Sequence, residues 1–458
     1  MRRGSVIGAR GWRAPMPRPN ATHRMAPMRI DTFAALRHRD YRVFFIGQLI
    51  TVIGRNMRMV AVGWLVYELT NSRFMLGAVS AIGSLPMLLL PSIGGAVADR
   101  LNKRRMLIVV EALSAVPPLL LAFLVWTGSA QVWQVAVLSC LGGILQAFEM
   151  PTRHSFVIDM VGRDDLMNAI ALNSTLFSGA RAIGPAVAGL LIDAFDSTAP
   201  CFLITGLGFS AIIIALALTR VRERKPGKPQ PLAASLVEGW RYARSRRIIS
   251  GVLGILIVLM VFAASYSVLL PVFAKDIFGA GPRGLGFLTT AAGIGALIGA
   301  LIVASLARVR KRVPLLFGGV LGYSIALLCF SFVQRFSAGA ALLVFVGLAS
   351  MCCTPTANTI LQTSVPDEMR GRIMGLYAMS VAGMRPLGSF TMGTLAEWFD
   401  APEAIRIGAC ICGACGVGLF IVGWRRGWLA REVVAVESRP PPVLDALGSA
   451  SEDLPRGR

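Results

Sequence analysis

Acidic side chains are scarce in this sequence. Its 458 residues hold 24 Asp and Glu against 46 Lys and Arg, and charged residues of both signs reach only 15%, where a soluble domain carries about 25%. Histidine is scarcer still, with His23, His38 and His154 alone. None of the three is spaced with cysteine as a zinc or iron site requires, so neither a metal nor any other cofactor is expected. The eight cysteines, Cys140, Cys201, Cys329, Cys352, Cys353, Cys410, Cys412 and Cys415, all fall inside apolar segments. There they behave as small hydrophobes, and no disulfide framework is expected. No G-x-x-x-x-G-K-S/T loop occurs, which argues against a pump that burns nucleotide by itself. No nucleophile–base constellation stands out, so the chain is not expected to be an enzyme. The first thirty residues are basic and lack an apolar core after their early arginines, unlike a signal peptide; Met25 and Met28 are alternative starts to Met1.

What the chain has in excess is apolar length. Hydrophobic residues make up 55% of it and glycine fills 48 positions. A soluble fold could not hide that much apolar surface, whereas transmembrane helices use glycine freely. About 20 apolar residues cross a bilayer as a helix. Twelve such segments run near 43–67, 75–98, 106–127, 131–152, 166–194 and 199–219, then 248–274, 285–306, 314–334, 337–357, 372–398 and 403–424. The loops at 99–105, 153–165, 220–247, 307–312 and 366–372 hold 21 Arg or Lys. The opposite loops hold five: Arg73, Lys275, Arg283, Arg335 and Arg406. By the positive-inside rule the basic loops, and with them both termini, are cytoplasmic. The same rule accounts for the net charge of +22 without nucleic acid, since no basic stripe interleaved with stacking aromatics is present.

The stretch "SGARAIGPAVAG", residues 178–189, returns 204 residues later as "AGMRPLGSFTMG", residues 382–393. Gly179, Arg181, Gly184 and Gly189 fall on Gly383, Arg385, Gly388 and Gly393; Pro151, Thr152, Val161, Phe195 and Asp196 fall on Pro355, Thr356, Val365, Phe399 and Asp400. Two parallel six-helix halves are therefore expected, an all-α membrane protein with a bundle over 43–219, a basic linker over 220–247 with an amphipathic stretch around Trp240 and Tyr242, and a second bundle over 248–426. A basic tail at 1–42 is expected to be disordered at its start, and a tail at 427–458, rich in Pro and Ser, to stay disordered. Transporters of this layout hold their substrate near the midplane between the halves. Ala180, Gly184 and Ala188 recur every four residues and offer one face for close approach, and Pro185 removes a backbone bond. Gly179, Gly184, Pro185, Gly189, Gly383, Gly388 and Gly393 are read as helix-packing residues.

Residues 94–107, "GGAVADRLNKRRML", fall between the second and third segments. They resemble the signature loop of the major facilitator superfamily, G-x-L-A-D-R/K-x-G/N-R/K-R/K, with Gly95, Asp99, Arg100, Lys103 and Arg104 matching and Val97 at the Leu position. Gly95 would permit close helix contact, and Asp99 could pair with basic groups or accept from a helix N-terminus. The resemblance implies a gating role for this loop. The second-half counterpart, "ASLARVRKRVPL" at 304–315, keeps the bases but has Ala307 where Asp99 would fall. Further text, including "LRHRDYRVFFIGQLITVIG", "GWLVYELTNS", "LPMLLLPSIGGAVADR" and "QTSVPDEMRGRIMGLYAM", is similar to the bacterial exporter branch that contains enterobactin-type siderophore exporters and macrolide efflux pumps. Gly184, Pro185 and Gly189 loosely match the antiporter motif of that superfamily, without its G-P-x-x-G-G spacing.

A charge at the bilayer centre costs at least ~2.5 kcal/mol on insertion scales and faces a cavity or a partner. Arg181 lies roughly 20 Å from each end of its segment at 1.5 Å per residue, and Arg385 lies at the matching depth. Arg55 and Arg58 share a face of the first segment. Glu111 and Glu149 are placed near the cytoplasmic edge, leaving these four arginines without an evident deep carboxylate. Either the arginines cap carbonyls, snorkel or pair with the two glutamates, or they line the central cavity. Gln48, Asn173, Tyr266, Asn358, Gln362 and Tyr377 could complete a pocket or bond between helices. Arginine does not titrate, so Glu149 and Glu111 are the candidates for proton coupling, Glu149 having an ion pair with Arg153 as its alternative.

Together these features predict a monomeric twelve-helix transporter of the bacterial cytoplasmic membrane. It would export a small organic molecule, anionic or neutral, a siderophore or drug-like natural product by resemblance, by alternating access driven by protons. An importer of an organic acid or sugar with the same fold is the alternative.

Overall fold

The computed structural model describes residues 34–98, 101–162, 165–219, 232–305 and 312–425, and these form helices without a strand. In the first half the spans are the first (Arg39–Thr70), third (Lys103–Trp126), fourth (Val132–Val161), fifth (Leu166–Phe195) and sixth (Ala199–Leu218). The second-half set is the seventh (Arg247–Ile277), eighth (Gly281–Ser305), ninth (Arg312–Phe330), tenth (Phe336–Ser364) and twelfth (Ala401–Arg425). These ten are long and apolar enough to cross a membrane. Two more spans are broken. The second is assembled from Arg73–Ser84, Pro86–Leu89 and Pro91–Ala98, because neither proline supplies an N–H to continue the ladder. The eleventh runs as Asp367–Ala378, a π turn at Met379–Gly383, and Arg385–Phe399. A linker helix, Leu232–Ser245, joins the halves. Most of the expected tails, Asp99, Arg100 and the stretch 306–311 lie outside the described residues.

Several spans overrun the apolar segments on the basic side. The first begins at Arg39 rather than 43, the fourth continues past 152 to Val161, and the tenth continues past 357 to Ser364. The fourth-span extension is amphipathic, and its apolar face is buried. Phe156, Val157, Met160 and Val161 pack with Tyr41, Phe44, Leu107, Phe209 and Leu216 in a core of their own. This overrun changes the depth of Glu149, which now stands twelve residues, ~18 Å at 1.5 Å each, inside the end of its helix. A larger buried cluster runs through both halves. Outward-facing Leu113, Val116, Leu120 and Phe123 on the third span and Leu203, Leu207 and Ile214 on the sixth are exposed, as side chains meeting lipid must be. Trp126, Trp133 and Trp398 stand exposed at helix ends, where the amphipathic indole suits the membrane interface.

The halves pack along two seams, fifth span against eighth and second against eleventh. Both seams depend on glycine at the face away from the basic loops. A Cβ on Gly393 would stand 2.6 Å from the Gly77 Cα, and one on Gly189 would stand 2.9 Å from the Gly286 Cα. Helices approach this closely only where side chains are absent, and packing then replaces the hydrophobic drive that lipid removes. Polar contacts reinforce the same face. Arg73 pairs with Asp400, Glu397 accepts from the Phe74 N–H at 2.9 Å and from the Ser72 hydroxyl at 3.3 Å, Tyr67 donates to Asp276, and Lys275 donates to Asn71 at 2.8 Å. Toward the basic face the linker helix is tied to the second half, where Glu238 pairs with Arg372 of the eleventh span at 2.5 Å. The molecule is closed on one side. Gly393→Leu should prevent that closure. With the native cysteines replaced, Ala396→Cys, fully buried at this seam, should react with a membrane-impermeant maleimide several-fold faster when Gly393→Leu is added, and an unchanged labelling rate would show that the seam tolerates a side chain.

Candidate functional site

The first span carries its arginines on the face that turns inward. Arg55 Nη2 reaches Glu111 Oε2 of the third span at 2.9 Å, and Arg55 Nη1 reaches Glu149 Oε2 of the fourth at 2.5 Å. Glu149 Oε1 accepts from Arg153 Nη1 at 2.6 Å, one helical turn on. The two glutamate side chains are 3% and 2% exposed, so this cluster is desolvated. Aromatic faces cover it: Phe209 lies 5.3 Å from the Arg55 guanidinium and Phe177 lies 5.1 Å from that of Arg153, favourable cation–π distances. The expectation that Arg55 lacks a deep carboxylate is therefore corrected, and so is the placement of Glu111 and Glu149 at the membrane edge. The apolar run of the fourth span ends near 152, but its helix runs on to Val161, so Glu149 sits well inside it, and Glu111, buried in the third span, meets the same arginine. Arg58, one turn further along, lies against Gly142 of the fourth span, whose Cβ would meet the Arg58 Nη1 at 3.0 Å. Among the described residues no carboxylate pairs with Arg58.

Arg181 and Arg385 are different. Both are exposed, and neither pairs with a carboxylate among the described residues. They come from opposite halves, and their charges act on each other. Tyr266 lies within electrostatic reach of Arg181, and Tyr323 within that of Arg385; both tyrosines are buried. Tyr266 sits in a 3-10 turn, Ala264–Leu269, between π turns at Leu259–Ala263 and Phe273–Ile277 of the seventh span. Arg385 stands two residues beyond the π turn of the eleventh, after Met384. Irregular backbone at membrane depth is tolerated where it is buried in protein or lines a cavity, and π turns gather at functional sites. Tyr323 was missed by sequence reasoning because nothing in its apolar segment marks which face it occupies.

The other polar candidates spend their groups on neighbours. Gln48 donates to Asn173 at 3.0 Å, joining the first and fifth spans. Gln362 donates to Asn358 at 2.9 Å within the tenth span, and Tyr377 donates to the Thr354 carbonyl at 3.3 Å. In the signature loop, Lys103 pairs with Asp159 at 2.7 Å. Arg104 donates to the Leu216 and Ala217 carbonyls at 2.7 and 2.6 Å, so the start of the third span is tied to the ends of the fourth and sixth. Asn102 caps that helix by accepting from the Arg105 N–H at 2.8 Å. Close contact does not fall on Gly95, which has nothing described within 4 Å. It falls on Gly94, whose Cβ would stand 2.5 Å from the Ala147 carbonyl oxygen. Gly179 likewise faces open space, while Gly184 abuts Asn56, Gly383 abuts Leu88, and Gly388 abuts the Met260 carbonyl. Pro185 presents its carbonyl oxygen to Gly286 across the seam. Among the described residues no three His, Cys, Asp or Glu side chains come together as a metal site would need.

A bundle of twelve spans with a charged centre between two halves is matched by sequence over nearly its whole length. The family model described as transmembrane secretion effector aligns with residues 30–447. The chain belongs to this family of the major facilitator superfamily. It is a multi-pass membrane transporter of the secondary type. It is 25% identical over 371 residues to the staphyloferrin A transporter of Staphylococcus aureus, covering 80% of this chain and 92% of that one. It is 27% identical to the multidrug efflux pump Tap of Mycolicibacterium fortuitum, covering 75% and 86%, and 25% identical to the enterobactin exporter EntS of Shigella flexneri, covering 89% and 95%. In solved structures the fold is similar to a variant of the nucleoside transporter NupG, with a TM-score of 0.70 at 13% identity over 83% of this chain and 99% of that one. It is also similar to a bacterial homologue of the lysosomal transporter Spinster, with a TM-score of 0.67 at 15% identity over 88% and 99%.

The cluster around Arg55 makes a definite demand on stability. Removing one member of a buried, paired set costs about 3–5 kcal/mol because it strands the remaining charges. Arg55→Met should lower the thermal midpoint sharply, and adding Glu111→Gln to it should restore part of the loss. Additive effects in that double-mutant cycle would show that the two side chains do not interact.

Proposed function

We propose that this transporter exports a small organic molecule, a siderophore or drug-like natural product, from the cytoplasm by alternating access driven by the proton gradient. Arg181 and Arg385 meet the cargo between the halves. The basic loops and both termini face the cytoplasm, and the chain works as a monomer. The observation that carries the reading is the pair of exposed arginines, one from each half, held at mid-depth without a carboxylate. A charge in that position requires a water-filled cavity or a ligand, and a cationic cavity suits anionic or electron-rich cargo. Sealing at the face away from the basic loops describes a state open to the cytoplasm, ready to load cargo for export. The exporter and efflux names of the relatives support the direction. The signature loop, with Asp99 at its centre and its bases tied to the fourth and sixth spans, acts as the latch between states.

Inside-out membrane vesicles test the direction. With enterobactin and staphyloferrin A as labelled probes, energised vesicles should accumulate at least one of them. Uptake confined to whole cells would reverse the reading to import. Arg181→Ala and Arg385→Ala should each reduce accumulation by about tenfold or more, the effect of losing roughly 1.4 kcal/mol of interaction, while the protein still inserts. Undiminished transport in both variants would take the arginines out of the cargo site.

A further inference from the structure

We propose that Glu111 is a proton-binding site and that Arg55, which holds both Glu111 and Glu149, reports the proton's presence to the first span. The geometry begins with an unequal division of cations. Glu149 has both oxygens engaged, Oε2 by Arg55 and Oε1 by Arg153. Glu111 has one oxygen engaged, by Arg55 at 2.9 Å. The two carboxyls are held by one and the same guanidinium, Glu111 by the Arg55 Nη2 and Glu149 by the Arg55 Nη1. Two carboxylates gathered on one guanidinium in a desolvated site do not both stay ionised easily, and a proton on one of them relieves their repulsion. Glu111, the less well paired, is the one that accepts it.

The groups that face the pair come from five spans. The first contributes Arg55, with Arg58 close enough to act on it electrostatically. The third contributes Glu111 itself. The fourth contributes Glu149, Arg153 and His154, the last of which feels the charge of both its neighbours. The fifth and sixth contribute the rings of Phe177 and Phe209, which do not titrate. With both glutamates ionised their charges balance Arg55 and Arg153, and a proton leaves that set at +1. Protonated Glu111 no longer holds the Arg55 Nη2 as an anion, so Arg55 is left to Glu149 alone.

The fold does not require charges here. The repeat that aligns Pro151 with Pro355 sets Cys353 and Ala357 where the fourth span has Glu149 and Arg153. Both are fully buried, and the tenth span packs without an ion pair at those positions. A buried ion pair is in any case weak evidence for stability. The first span, which carries Arg55, also carries the closed face through Tyr67 and its bond to Asp276, and it receives the fifth span at Gly184. A change in how Arg55 is held is therefore a change in an element that both the seal and the cavity depend on. This inference rests on the proton-driven reading above for its use, though not for its chemistry.

The chemistry is read on the full-length protein in lipid nanodiscs, without cargo, by pH-difference infrared spectroscopy. On acidification from mildly alkaline to mildly acidic pH the parent should gain a carboxylic acid C=O band that Glu111→Gln lacks. Glu111→Asp, which keeps the carboxyl, should retain the band at a shifted frequency and serves if the glutamine variant does not fold. A band that persists in Glu111→Gln, or is unshifted in Glu111→Asp, overturns the site. Accumulation in inside-out vesicles with and without a pH gradient is read separately. A Glu111-dependent band with gradient-insensitive transport upholds the proton site and removes the coupling; gradient-driven transport with no such band does the reverse.

Discussion

A charge carried into a membrane protein must be answered within reach of its own side chain. That constraint organises this molecule more than any other. Arg55 satisfies it with two glutamates from two different helices, and those glutamates fix how the first, third and fourth spans sit around one another. The aromatic rings of Phe209 and Phe177 close over the guanidiniums and keep water out. The result is a first half whose centre is ionic and a second half whose matching positions in the tenth span are apolar. Arg181 and Arg385 do not satisfy the constraint internally. They stay exposed, and the energy of an unanswered charge is available to a ligand that supplies the counter-charge.

The seams between the halves follow from a different physical limit. Lipid is as apolar as leucine, so helices gain little by burying apolar side chains against each other and gain by approaching closely. Gly77 meets Gly393, and Gly189 meets Gly286, backbone to backbone. The polar ring of Arg73, Asp400, Glu397, Tyr67, Asp276, Lys275 and Asn71 then rims the contact where it reaches water. Contacts made by glycine carry no interlocking side chains, so at these points the halves can part without unlocking side chains, although the buried cluster that runs through both halves must rearrange beside them. A seal of this kind suits a protein that must open and close.

Much of the fold is legible in the sequence because the bilayer allows so few solutions. Apolar length marks the spans, loop arginines mark the basic face, and the 204-residue echo marks the two halves. Asp196 and Asp400, paired by that echo, both end helices with positive φ. The site is legible only in part. Arg181 and Arg385 stand out because they are charges in apolar text with a matching partner in the repeat. The pairing of Arg55 with Glu111 and Glu149 is readable only as one alternative among several, because it joins three helices whose rotations no single segment specifies. The apolar run of the fourth span stops near Pro151 while its helix runs on to Val161 under an amphipathic face; apolar length alone therefore places Glu149 too shallow. The i, i+4 spacing of Glu149 and Arg153 is the one local signal that a charge pair lies there.

The asymmetry between the halves bears on how one conformational cycle can be driven. If both halves carried the same buried ionic cluster, a proton entering either would bias the same motion, and the cycle would have two inputs at the same depth. Here the tenth span has Cys353 and Ala357, both buried, in register with Glu149 and Arg153. The arginines that face the interface, by contrast, are kept in both halves, which is what the proposed cargo site between two bundles needs. What the repeat preserves is the part of the site that needs two sides, and what it has lost is the part that needs only one. The proposed coupling needs a mechanical route between the two, and the first span touches both: Arg55 binds the acidic pair, Asn56 abuts the fifth span at Gly184, three residues beyond Arg181, and Tyr67 bonds across the closed face.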